Sequence, residues 1–282
     1  MSDGLIGVTG ATGEVGGRVA RRLAERGVRQ RLIVRDPRRA PELPGAEVSA
    51  ASSYGALEEM TGALRGVETL FLVPAAESTD RVDQHRTAVE AAVGAGVKRV
   101  VYLSFVGAAT SSFTLGREHG ATEKIVEASG LQWAFPRMNL YMDFIPSMVG
   151  EDGAIRGPAD EGRLAAILRD DIADAVAVIL TEPGRHDGHA YDLTGSEAFT
   201  LGEAAAEMSR AWTRPFSFVD ETLEEARASR AGFGAPGWEV EAWISSYVAI
   251  GRGELERVSD GVERLTGHPP RSLRSWLSEA RP

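Results

Sequence analysis

Three evenly spaced glycines stand near the start of the chain, in Val8-Thr9-Gly10-Ala11-Thr12-Gly13-Glu14-Val15-Gly16. They follow an apolar run and precede an amphipathic stretch, so the order reads strand, loop, helix. In that setting one glycine permits a tight turn, one lets the backbone approach a pyrophosphate, and one lets helix and strand pack closely. Unpaired N–H groups and the dipole at the helix start favour an anion. Gly10, Thr12, Gly13, Glu14, Val15 and Gly16 are therefore candidate contacts to a dinucleotide, with Arg18 beside them. Further on, the next apolar run ends in Val34-Arg35-Asp36-Pro37-Arg38-Arg39. An acidic residue there would bind a ribose 2′-hydroxyl and suit NAD, whereas an arginine suits a 2′-phosphate. Arg35 holds the position, so NADP(H) is expected ahead of NAD(H), with Asp36 arguing for NAD. The bland alternative is a structural turn followed by arginines that only face solvent.

The elements that must position this loop follow from periodicity. Short apolar runs at 5–8, 31–34, 46–50, 69–73, 99–104 and 132–136 read as strands, separated by helical stretches at 15–26, 54–64, 81–95 and 118–128. Residues 170–180 add a helix and 190–193 a strand, after which the pattern is mostly helical: 201–211, 221–229, 239–250 and 273–280. The fold class is α/β: a Rossmann-type doubly wound parallel sheet with a smaller, mostly helical C-terminal lobe. Residues 1–139 and 163–195 are assigned to the NAD(P)-binding domain, and 140–162 and 196–282 to a substrate-side lobe. In such a sheet, Val73-Pro74-Ala75 after the fourth strand and Ser104 at the end of the fifth lie where ligands bind.

These motifs resemble the NmrA-like branch of atypical short-chain dehydrogenases. The likeness rests on Val8–Gly13 with Leu32-Ile33-Val34-Arg35-Asp36-Pro37, on Arg99–Ser104, and on His119-Gly120-Ala121-Thr122-Glu123-Lys124. It continues through Arg137-Met138-Asn139-Leu140-Tyr141-Met142, Tyr191–Gly195 and Val262–Pro270, blocks similar to those of bacterial NAD(P)H-dependent quinone reductases. The resemblance spans nearly the whole chain and implies the fold, the cofactor and a role for Lys124 on the ribose and nicotinamide side.

Ordinary short-chain dehydrogenases use a Y-x-x-x-K pair whose spacing puts phenol and ammonium on one helical face. Here Lys124 is present but the residue four places earlier is Gly120, which has no proton to give. The remaining catalytic candidates are Ser104, His119, Tyr141 and Lys124. His119 has a near-neutral ordinary pKa, although His119 and Glu123 also fit a surface pair at i,i+4. Asn139 and Tyr141 are placed over the nicotinamide from the lobe, with core packing the alternative for Tyr141. His186, Asp187 and His189 lack further ligands at suitable spacing, and no metal is expected. Phe216, Phe218, Trp238 and Trp243 are read as lobe packing.

The bulk composition narrows the partners. The 282 residues carry a net charge of -10, which argues against general attraction to nucleic acid or anionic membranes. There are no cysteines, so disulfides, thiolate catalysis and cysteine-ligated metals are excluded. The opening Met1-Ser2-Asp3-Gly4 has no basic stretch and no run approaches the roughly 18 apolar residues of a membrane span. A cytoplasmic location is expected, and a homodimer is left open. Two functions remain. One is an NAD(P)H-dependent oxidoreductase passing hydride to a quinone or other flat aromatic or carbonyl acceptor, aromatic polyketide tailoring included. Its motivation is the cofactor frame plus the apolar segment Phe144-Ile145-Pro146 with Met138, Met142 and Met148. The other is a non-catalytic NAD(P)-sensing regulator, motivated by the empty position at Gly120.

Overall fold

The computed structural model describes residues 4–280; residues 1–3, where no targeting segment is expected, and 281–282 lie outside it. In chain order the elements are β1 (Ile6–Thr9), α1 (Glu14–Glu25), β2 (Gln30–Val34), β3 (Ala46–Ala50), α2 (Leu57–Leu64) and β4 (Thr69–Leu72). Then come α3 (Arg81–Ala95), β5 (Arg99–Tyr102), β6 (Ser104–Phe105), α4 (Thr114–Ala128) and β7 (Gln132–Met138). The central stretch adds β8 (Ala154–Gly157), β9 (Arg163–Leu164), α5 (Arg169–Thr181), β10 (His189–Leu193) and β11 (Phe199–Thr200). The chain closes with α6 (Leu201–Trp212), β12 (Ser217–Asp220), α7 (Leu223–Arg230), α8 (Gly237–Gly251), α9 (Gly261–Thr266) and α10 (Leu273–Glu279).

The main sheet runs β10-β7-β5-β4-β1-β2-β3, all parallel, with the short β6 paired to β7. Every residue of β1, β4 and β5 is buried, as expected for strands covered by helices on both faces. One face packs under α1 and α5 through Val19, Leu23, Ile172 and Val176; the other packs under α2 and α3 through Met60, Leu64, Val89 and Ala92. From β1 the chain winds outward through β2 and β3, then returns to the other side of β1 for β4. The reversal therefore falls between β1 and β4, where an open α/β sheet leaves a crevice at its carboxyl ends.

Two small sheets, β8 with β12 and β9 with β11, lie outside the main one. These short strands were not expected in the mostly helical second half, where two-residue and four-residue pairings carry little periodicity. Tyr247 and Ile155 belong to the same buried cluster as Val8 and Val19, so the outer segments share one core with the α1 face of the sheet. Phe216 and Phe218 pack against it, while Trp238 stays exposed. Among the described residues no helix is long and apolar enough to cross a membrane.

Candidate active site

The glycine loop fills the crevice from the β1 side. Gly10 has φ of +63°, the left-handed region that glycine enters without strain. A Cβ on Gly16 would overlap the Gly10 and Thr9 carbonyl oxygens, so helix α1 can approach β1 only with glycine there. Gly13 is the N-cap of α1 and no side chain caps the helix start. The first-turn N–H groups therefore face the crevice without an internal partner. Across the reversal, Thr9 Oγ1 donates to the Phe71 carbonyl (3.1 Å) and accepts from Val73 N–H (2.9 Å), tying the end of β1 to the end of β4. Tyr54 donates to the Val73 carbonyl at 2.8 Å, with its phenol pushed up to about 12 by burial.

A cavity of about 530 Å³ opens here. Gly10, Thr12, Gly13, Glu14, Val15, Gly16, Arg35, Val73, Pro74, Ala75 and Tyr141 line it, so eleven of the residues singled out from sequence converge. Arg35 forms no ion pair with another described residue and faces the cavity. Asp36 does not line it. Its carboxylate takes Arg38 Nε and Nη2 at 2.9 Å each and caps the Arg38 N–H, which holds its pKa below the usual range. Arg35 is therefore open to the cavity, while the Asp36 carboxylate is engaged by Arg38.

Four expected residues lie away from this lining, for physical reasons. Ser104 is fully buried and donates to Glu123, which also takes Arg137 on both oxygens (2.8 and 2.7 Å). His119 is fully buried beside Tyr102 (Nδ1 to Oη, 2.9 Å), and burial holds its pKa well below 6.5. Nor do His119 and Glu123 form a surface pair, since both are buried. Asn139 is buried, with Nδ2 donating to the Leu255 carbonyl at 3.0 Å and Oδ1 accepting Leu140 N–H at 2.8 Å. Lys124 is exposed on α4 and does not reach the cavity lining. At Gly120 a Cβ would run into the Ala108 carbonyl, so backbone closes over the position where a tyrosine would stand.

The apolar segment expected to receive an acceptor is mostly core: Met142 and Ile145 are buried and Phe144 is half exposed, none of them lining the cavity. Tyr141 does line it. Its phenol donates to Met138 Sδ at 2.9 Å and is pushed up to about 12 by burial, leaving the ring as the useful surface. Arg18 pairs with Glu14 and Asp170 instead of the cavity. His186 bonds Tyr191 (2.9 Å), His189 the Asp187 carbonyl (2.8 Å), and Asp187 pairs with Arg99.

Sequence reasoning missed Arg169, Glu77, Ser78, Gln84 and the Ser52-Ser53-Tyr54 run, all on the lining. Arg169 sits over the Tyr141 ring and ion-pairs with Asp143 at 3.1 Å; its buried Nε has no partner among the described residues. A cation in the first turn of a helix opposes the helix dipole, and that oddity was the available hint. The Val73–Ser78 loop is held from behind: His85 Nε2 accepts Ala75 N–H at 2.8 Å, and Arg81 Nε donates to the Ala75 carbonyl at 2.9 Å.

A glycine turn, an uncapped helix start and a free arginine at the second strand's end, all on one cavity, define a dinucleotide-binding Rossmann protein. The chain matches the family model described as NAD(P)H-binding over residues 10–183. It is 34% identical to an NAD(P)H azoreductase of Xenophilus azovorans, covering 95% of each chain. An NADPH-dependent quinone oxidoreductase from Escherichia coli, solved with NADPH, superposes with a TM-score of 0.89 at 33% identity, over 97% of this chain and 99% of that one. The triphenylmethane reductase of Citrobacter sp., solved with NADP(H), gives 0.87 at 30% identity, over 98% and 100%. The chain belongs to the NAD(P)H-binding family.

Proposed function

We propose that this protein is an NADPH-dependent oxidoreductase that reduces flat aromatic acceptors of the quinone or azo type. The observation that carries the cofactor half is the contrast between neighbours: Arg35 unpaired on the cavity, Asp36 closed onto Arg38. Gly10, Gly13 and Gly16 with the first turn of α1 would hold the pyrophosphate, and Arg35 the 2′-phosphate. The other end would then lie along Val73–Glu77, Tyr141 and Arg169 on the same lining. Bound there, the dinucleotide supplies a hydride.

The acceptor half rests on the azo, quinone and dye reductases above, at 30% identity or more across nearly full length. The blocked position at Gly120 supports it, because alcohol–ketone chemistry of the ordinary type needs a phenol there. Steady-state oxidation of NADPH with a panel of quinones and azo compounds tests the proposal. Turnover above background is expected; tight NADPH binding with no turnover on any acceptor would favour the sensing function instead.

A further inference from the structure

Resting on that reading, we infer that Glu77 is the proton donor to the acceptor. The cavity holds few groups that could act. Among the lining residues, Glu14 is bound to Arg18, and the Tyr54 and Tyr141 hydroxyls are engaged as hydrogen-bond donors to Val73 O and Met138 Sδ. A guanidinium is not a usable general acid. Glu77 is the remaining carboxyl on the lining, and no hydrogen bond or ion pair to another described residue occupies it.

Its placement fits the task. The Val73–Ser78 loop leaves β4 at the reversal, and the charged groups around Glu77 come from three elements: Arg81 of α3, Glu118 of α4 and Glu239 of α8. Glu77 thus lines the same cavity as the glycine loop, Tyr141 and Arg169. It reaches solvent at the rim, so it can be reloaded. The protein packed around it raises its pKa; Glu118 and Glu239 push the same way, and Arg81 opposes them. Glu118 is itself held by Arg81 at 2.8 Å.

The balance is simple. A quinone takes from the reduced dinucleotide one hydride, which carries two electrons and one proton. The Glu77 O–H bond breaks as the acceptor's second O–H forms, and the carboxylate recovers a proton from water. A cationic triphenylmethane dye needs only the hydride, because its central carbon is already positive.

Glu77→Gln separates the two. The expected result is a fall of about a hundredfold in the quinone-to-dye ratio of kcat, the scale of general acid catalysis, with an unchanged Tm. The wild-type decline of quinone turnover at rising pH should flatten in the variant. A second readout needs no cofactor: in the dinucleotide-free protein labelled at glutamate carboxyls, one ¹³C resonance should titrate above the usual carboxylate range and vanish in Glu77→Gln. An unchanged ratio with the same pH profile, or no such resonance, would overturn the inference. Failure of the wild type to reduce either acceptor would instead overturn the proposed function, and this inference with it.

Discussion

The guanidinium of Arg169 lies over the face of Tyr141, 4.2 Å from the ring centroid, and both groups line the glycine-loop cavity. They are 28 positions apart, but Tyr141 and Ile167 form a parallel bridge that brings the start of α5 beside the segment following β7. Stacking on the ring and pairing with Asp143 fix the guanidinium while leaving its Nε without a partner. The guanidinium is thereby held as a cation on the cavity lining.

Replacing Arg169 with leucine should therefore weaken NADPH binding. Loss of a charge-assisted hydrogen bond is worth about 1.5–3 kcal/mol, or roughly 10- to 150-fold in Kd. Calorimetric titration checks this, with Arg169→Lys expected to recover part of the loss because a point charge cannot stack as guanidinium does.

Gly16→Ala should damage both fold and binding. The added methyl meets the Gly10 and Thr9 carbonyls, backbone that cannot move aside cheaply. Overpacking of this sort costs about 1–3 kcal/mol, so a lower Tm is expected together with weakened NADPH affinity.

Ser104→Ala separates structure from catalysis. Its hydroxyl serves the Glu123–Arg137 pair inside the protein, and losing one buried hydrogen bond costs about 1–3 kcal/mol. Tm should fall while the Kd for NADPH and the KM for the acceptor stay unchanged. A collapse of kcat at unaltered Tm would contradict this placement.

The pin behind the cavity loop predicts a pH dependence. His85 takes Ala75 N–H on Nε2 and meets Thr122 Oγ1 through Nδ1 at 2.8 Å, and burial pushes its pKa down from 6.5 to about 3. Between those values the unfolded chain binds a proton that the folded protein refuses. The contribution is thus complete above pH 6.5 and shrinks as pH falls toward 3, by up to about 1.4 kcal/mol per unit. Denaturant titrations at pH 7.5 and 5 should show this slope. In His85→Gln, which keeps an acceptor without titrating, the slope should be shallower.

Much of the cofactor end was legible from sequence because local rules govern it. A glycine turn between a strand and a helix, and an arginine at the next strand's end, announce themselves within forty residues. The reacting end was not, because it is assembled by long-range contacts. Helical spacing put His119 and Glu123 on one face but could not say that α4 buries that face against Tyr102 and Arg137. Asn139 points to Leu255, 116 residues away, rather than into the cavity. Glu77 follows Val73 by four residues on a loop with no periodicity, so nothing local distinguished it from a solvated charge.

The proposed cofactor preference rests on Arg35 reading a 2′-phosphate while Asp36 is turned away. Titrating NADPH and NADH into wild type and Arg35→Ala tests it most directly. The wild type should prefer NADPH, and the variant should lose that preference through weaker NADPH binding with NADH little changed. An Arg35→Ala protein that still discriminates as the wild type does, or a wild type that binds neither nucleotide, would contradict the account.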